Sequence, residues 1–123
     1  MEKKKILIVD DAKFLRHKLI EIIDKIEYAE VVGEAENGIQ AINLYKELKP
    51  DLVTMDLIMP EMGGIEAIEK IVEYDKEAKI VVISIMGKEE KALEAAEKGA
   101  KDYIEKPFQE EQVIKVLHKY LLN

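Results

Sequence analysis

Five polar residues, scattered along the chain, are of the types that phosphoryl chemistry uses: Asp10, Asp11, Asp56, Ser84 and Lys106. Asp10 and Asp11 stand directly behind the apolar run Ile6-Leu7-Ile8-Val9, and Asp56 behind Leu52-Val53-Thr54-Met55. Ser84 follows Ile80-Val81-Val82-Ile83, and Lys106 comes shortly after Tyr103-Ile104. Adjacent carboxylates repel, and each loses solvation when buried. Gathering Asp10, Asp11 and Asp56 in one cleft therefore calls for a counter-charge. Hard oxygen donors select a hard cation, and Mg2+ typically takes one or two carboxylates with waters and phosphate oxygens. Lys106, a mobile point charge, balances the remainder. An aspartate beside such an ion can attack phosphorus and form an acyl phosphate. The cation and the lysine neutralise the oxygens of the transferring group, and a hydroxyl such as that of Ser84 donates to the added phosphate.

These residues can cooperate only if the elements carrying them end at one place. Short apolar runs alternate with longer segments of helical period. Ile6–Val9, Val31-Val32, Leu52–Met55, Ile80–Ile83 and Asp102–Ile104 read as five strands. Between them, apolar stripes predict helices: Leu15, Leu19, Ile22, Ile23 and Ile26, then Ala41, Ile42, Tyr45 and Leu48, then Ile65, Ile68, Ile71 and Val72. Residues 88–98 are helical but weakly amphipathic and stop at Gly99, and the last helix carries Val113, Val116, Leu117, Tyr120 and Leu121. Strands alternating with helices imply a parallel sheet covered on both faces. Ligands of such sheets bind beyond the carboxyl ends of the strands, where the strand order reverses. For the order 2-1-3-4-5 that point lies between the first and third strands, so Asp10, Asp11 and Asp56 converge. That order belongs to a known class of doubly wound folds; the local pattern of residues does not by itself dictate it.

Composition narrows the function classes. The length of 123 residues suits one domain able to bury a core without covalent staples, and the chain is read as a single domain over 1–123 without room for an output domain. With no cysteine, it has no disulfide framework, thiolate metal site or cysteine nucleophile, which fits a cytoplasmic location. The start MEKKK leads into only four apolar residues and then Asp-Asp, unlike a signal peptide. No run approaches a membrane span. A net charge of −7 argues against a nucleic-acid partner. The high Glu and Lys content resembles that of thermophile proteins. His17 and His118 sit among charged helical residues without metal-ligand spacing.

The segments ILIVDD (6–11), DLVTMDLIMPEMGG (51–64) and GAKDYIEKPF (99–108), with the strand ending at Ser84, resemble the receiver domain of two-component response regulators. In order and at this spacing the match covers essentially the whole chain. DDAKFLR and the SIMG turn look most like the chemotaxis regulators of the CheY type. The resemblance implies a flavodoxin-like (βα)5 fold and roles residue by residue. Asp56 is then the phosphoacceptor. Asp11, Asp56 and the Ile58 backbone carbonyl ligate Mg2+, Asp10 acting through water. Lys106 grips the phosphoryl group, and the Lys106–Pro107 bond is cis. Ser84 moves toward the phosphate and Tyr103 swings in behind it, reshaping the face made by the fourth helix, fifth strand and fifth helix. A CheA-like histidine kinase is the implied donor, a flagellar or archaellar motor adaptor the implied output partner, and the protein a monomer.

The chain departs from the family pattern at Ile85, where a small residue is usual, and at Gly63, where Asn or Asp often caps the third helix. Ile58 and Met86 are apolar at positions that tune dephosphorylation in the family. Taken singly, Asp11 reads as a helix cap, Lys106 as a solvated lysine, Ser84 as a loop serine and Tyr103 as part of the core. Other functions stay open at this point. A phosphorelay intermediate would carry the same residues. A Mg2+ phosphatase with an aspartyl nucleophile wants Asp-x-Asp after the first strand, where this chain has Asp10-Asp11-Ala12. A flavin carrier wants a Ser/Thr/Gly-rich phosphate loop there, and a receiver-like module that is never phosphorylated remains the blandest reading.

Overall fold

The computed structural model describes residues 2–85 and 89–122. Met86, and residue 88 at the expected start of the fourth helix, lie outside them. The elements alternate: β1 (Lys4–Val9), α1 (Lys13–Asp24), β2 (Ala29–Ala35), α2 (Gly38–Leu48), β3 (Leu52–Met55), α3 (Gly64–Tyr74), β4 (Ile80–Ile85), α4 (Glu89–Lys98), β5 (Asp102–Lys106) and α5 (Glu110–Leu121). The strands pair in parallel in the order β2-β1-β3-β4-β5. β1 and β3 are therefore neighbours although a complete βα unit separates them in sequence, and this is the reversal point at which open α/β sheets bind ligands.

Strand side chains alternate between faces, and the central strands are apolar on both. Ile6 and Ile8 join Leu19, Ile23, Val113 and Leu117 under α1 and α5. Leu7 and Val9 join Ala41, Ala67, Ile68 and Ile71 under α2 and α3. A sheet buried on both sides cannot slip register without exposing apolar surface, so the strand ends are fixed points for whatever they carry.

Four strands run further than the apolar residues alone predict; β1 begins at Lys4 and β5 reaches Lys106. β2 covers Ala29–Ala35, not only Val31-Val32, because it is an edge strand with half-exposed residues. Ile6 pairs with Val31 and Leu7 with Gly33, so Val32 is the extra residue of a bulge. β4 continues one residue past Ser84, and Ile85 pairs with Lys106 of β5. Lys106 thus starts from a fixed ladder position, not from a loop.

The β3–α3 connection is held by close backbone packing. The Gly64 N–H donates to the Leu57 carbonyl at 2.9 Å, and the Gly38 N–H donates to the Met62 carbonyl at 2.8 Å. A Cβ on Gly64 would collide with the Asp56 carbonyl oxygen and lie 2.8 Å from the Leu57 Cα. Backbone cannot yield as a flexible side chain can. Gly64→Ala is therefore expected to destabilise the protein by roughly 2 kcal/mol, in the range of overpacking a tight site. Urea denaturation measures this, and a midpoint equal to the parent's would contradict the contact.

Candidate phosphoryl and metal site

The ladder delivers two carboxylates to one rim. The Asp56 N–H donates to the Val9 carbonyl at 3.0 Å, and the Asp10 N–H to the Ala35 carbonyl at 3.0 Å. Each residue thus continues its strand's hydrogen bonding just beyond the strand's end. Asp10 is 2 % exposed and Asp56 6 %, while Asp11 faces solvent. One carboxylate oxygen from each of Asp10, Asp11 and Asp56 can be chosen so that all lie within 4.8 Å of one another. Asp11 is not the helix cap that it suggests in isolation: Ala12 occupies the N-cap of α1, with no side-chain acceptor. Its carboxylate remains available to the cluster. Gly63 does stand at the N-cap of α3 without a capping side chain.

Lys106 supplies the counter-charge. Its Nζ lies 2.7 Å from Asp10 Oδ2 and 3.5 Å from Asp56 Oδ2. The other oxygen of Asp56, Oδ1, accepts from the Leu57 N–H at 2.8 Å and from Ser84 Oγ at 3.0 Å. Ser84 is 2 % exposed, and its hydroxyl already reaches Asp56. Burial pushes the Asp56 carboxyl above the ordinary carboxylate range, and the Asp10 charge pushes the same way. Lys106, the Ser84 hydroxyl and the Ile58 N–H oppose them and do not fully compensate. Asp56 is held as a poorly solvated anion with one oxygen tied down and the other facing a cation.

The remaining predicted residues surround this centre. Tyr103 is half-buried, and its hydroxyl donates to the Ile85 carbonyl at 3.1 Å. A cleft of about 80 Å3 lined by Leu57, Ile65, Ser84, Ile85, Lys91 and Tyr103 lies beside Ser84. Ile58 is 67 % exposed and Ile85 62 %, so neither side chain fills the core. The Lys106–Pro107 bond is cis. His17 and His118 are exposed. One residue at the site carries no role in the sequence reading although the DDAKFLR segment ends on it: Arg16, buried on α1, donates to the Asp10 carbonyl. Its signal is present in the sequence, since it falls on the same helical stripe as Leu19 and Ile23, where a charge is out of pattern.

The donor set suits a hard divalent ion. All three side chains offer carboxylate oxygens, Asp11 is open to solvent, and a single lysine leaves the cluster net negative. A soft or redox metal would want sulfur or imidazole, and neither is here.

A family model described as the response regulator receiver domain matches residues 6–118. The chain is 55 % identical over 116 residues to the chemotaxis protein CheY of Thermotoga maritima, covering 94 % of this chain and 96 % of that protein. It is 50 % identical over 117 residues to CheY of Bacillus subtilis, covering 95 % and 97 %. Among solved structures, a CheX–CheY–BeF3–Mg2+ complex from Borrelia burgdorferi matches with a TM-score of 0.91 and 34 % identity, over 96 % of this chain and 89 % of that one.

The raised pKa of Asp56 has a consequence for stability. A carboxyl that holds its proton more tightly when folded favours folding while protonated, below the unfolded value. That contribution is lost as pH rises through the folded value. Metal-free Asp56→Asn is therefore expected to exceed the parent in stability at pH 7 by about 1 kcal/mol, an ordinary single-substitution effect, with the difference fading toward acid pH. Urea melts across this range measure it; a parent more stable than the variant at neutral pH would contradict the burial argument.

Proposed function

The chain belongs to the response regulator receiver family, and we propose that it is a stand-alone chemotaxis regulator switched by phosphorylation of Asp56. The observation that carries this reading is the division of labour at Asp56. Oδ1 is fixed by Leu57 and Ser84, and Oδ2 faces Lys106 with Asp10 and Asp11 alongside. A nucleophile needs one free oxygen, and only one is free of those hydrogen bonds.

Asp11, Asp56 and the Ile58 carbonyl would hold Mg2+, with Asp10 acting through water. When bound, the ion would neutralise both the acidic cluster and the oxygens of the incoming phosphoryl group. The presence of Mg2+ in the CheX–CheY complex from Borrelia burgdorferi supports Mg2+ as the ion. Asp56 Oδ2 attacks the phosphorus of a phosphohistidine, the new bond is an acyl phosphate P–O bond, and the donor P–N bond breaks. The imidazole nitrogen keeps the electron pair and takes a proton from solvent. Lys106 Nζ, now shared between Asp10 and Asp56, turns to a phosphoryl oxygen, and Ser84 Oγ donates to another. Tyr103 leaves the Ile85 carbonyl for the cleft beside Ser84, and the face of α4, β5 and α5 changes for an output partner.

The donor is read as a macromolecule, a CheA-like histidine kinase. Phe14 in the first turn of α1, Ile39 in the first turn of α2, Ile58 three residues past β3 and Ile85 at the end of β4 are exposed large hydrophobics. Ile58 and Ile85 line the cleft beside Ser84 with apolar surface of the kind that protein partners cover. A small phosphate ester would use none of it, so we place sustained turnover outside the protein's role. Relatives named for chemotaxis, and a relative crystallised with CheX, support a chemotaxis output such as a motor adaptor.

Incubation with acetyl phosphate and Mg2+, or with a phosphorylated histidine kinase, is expected to yield one base-labile and hydroxylamine-labile phosphoryl group per chain, read by intact mass. Asp56→Asn is expected to abolish it; incorporation that persists in this variant would overturn the assignment. Asp11→Ala is expected to remove most of the rise in urea midpoint that Mg2+ gives the parent, and an unchanged rise would exclude Asp11 as a ligand.

A further inference from the structure

The guanidinium of Arg16 is buried at the back of the acidic pocket. Its Nη1 donates to the Asp10 carbonyl at 2.6 Å and its Nε to Glu34 Oε1 at 2.8 Å. The residue is 8 % exposed and opens the buried stripe of α1, one turn before Leu19. A leucine or methionine there would bury more apolar surface at no cost in charge desolvation. The ion pair does not explain the arginine either, since the Glu34 side chain is 39 % exposed and partly exposed pairs contribute little.

A planar fork of fixed N–H donors can tie a backbone carbonyl to a neighbouring strand, which an apolar side chain cannot. The carbonyl it holds belongs to the peptide plane joining Asp10 to Asp11. Every other polar atom of Asp10 is also occupied: the N–H by the Ala35 carbonyl, Oδ1 by the Ala12 N–H at 2.8 Å, and Oδ2 by Lys106 at 2.7 Å. Fixing that plane fixes the direction in which the exposed Asp11 side chain leaves the backbone. We propose that Arg16 is a positioning residue for the cation site. By clamping the Asp10 carbonyl to Glu34 of β2, it sets the Asp10–Asp11 turn so that both carboxylates face Asp56. This role rests on the receiver reading and belongs to the part of the fold that prepares the metal site before metal arrives.

Calorimetric Mg2+ titration of the full chain tests it, with amide hydrogen exchange of the metal-free protein as the second readout. The sign is informative. Deleting a positive charge near a cation site tightens cation binding by electrostatics alone, whereas loss of positioning weakens it. Arg16→Met is expected to weaken Mg2+ binding about tenfold, as for removal of groups that orient metal ligands. Arg16→Lys, which keeps the charge and loses the fork, is expected to weaken it by less. In both, the Ala12 N–H is expected to exchange faster while the Val113 N–H at the start of α5 does not. Binding within twofold of the parent, or tighter, in both folded variants would overturn the proposal. If Arg16→Met does not fold, Glu34→Gln decides: weaker Mg2+ binding with faster Ala12 exchange supports the clamp, and parent values for both overturn it. A parent that binds no Mg2+ overturns the receiver reading together with this one. A parent that binds it equally well with or without the clamp overturns this one alone.

Discussion

The structure turns on the repulsion among carboxylates at the ends of β1 and β3. Asp10 and Asp56 are almost wholly removed from water, and Asp11 stands beside them. In a low-dielectric pocket this arrangement opposes folding. Lys106 offsets part of it through Asp10 at 2.7 Å and Asp56 at 3.5 Å, and burial still leaves the Asp56 carboxyl raised. On the proposed function, the unrelieved part is what a divalent cation, or a phosphoryl group accompanied by one, would answer, with the Ser84 hydroxyl and the Leu57 N–H already on Asp56.

The rest of the fold exists, in physical terms, to hold those charges where they repel. Parallel strands buried on both faces have no freedom to slide. The β1–β3 ladder places Val9 opposite Met55, so that Asp10 and Asp56 emerge side by side. Gly64 lets α3 begin against the Asp56 backbone. The β4–β5 ladder extends to Ile85 and Lys106, bringing the balancing cation from the far end of the chain. Arg16 braces the remaining side from α1. The charged centre is thus reached from four strand ends and one helix, and its own hydrogen bonds are few and short.

Much of this is legible in the sequence, for reasons that particular residues make plain. Ile6–Val9, Leu52–Met55 and Ile80–Ile83 are continuous apolar runs because their strands are central, and the polar residues behind them mark the rim. β2 is longer than its apolar pair suggests: an edge strand with Gly33 and Glu34 in it carries no continuous apolar signal, and a bulge breaks its alternation. The strand order is a property of the assembled sheet that no local pattern encodes. Arg16 hides because a stripe is recognised by the apolar residues it contains, and its one charged member looks like an exception to it. Ser84 reads singly as a loop serine, yet its hydroxyl donates to Asp56, since the buried end of β4 points it at that carboxylate.

The central claim is that Asp10, Asp11 and Asp56 form one cation site whose charge Lys106 balances in the absence of metal. The most direct measurement is a crystal structure with Mn2+ in place of Mg2+, phased on the anomalous signal of the ion. One strong anomalous peak is expected, bounded by Asp11 and Asp56, with the Lys106 ammonium displaced from Asp10. A map with no peak among these carboxylates, from crystals grown at a saturating concentration of Mn2+, would contradict it.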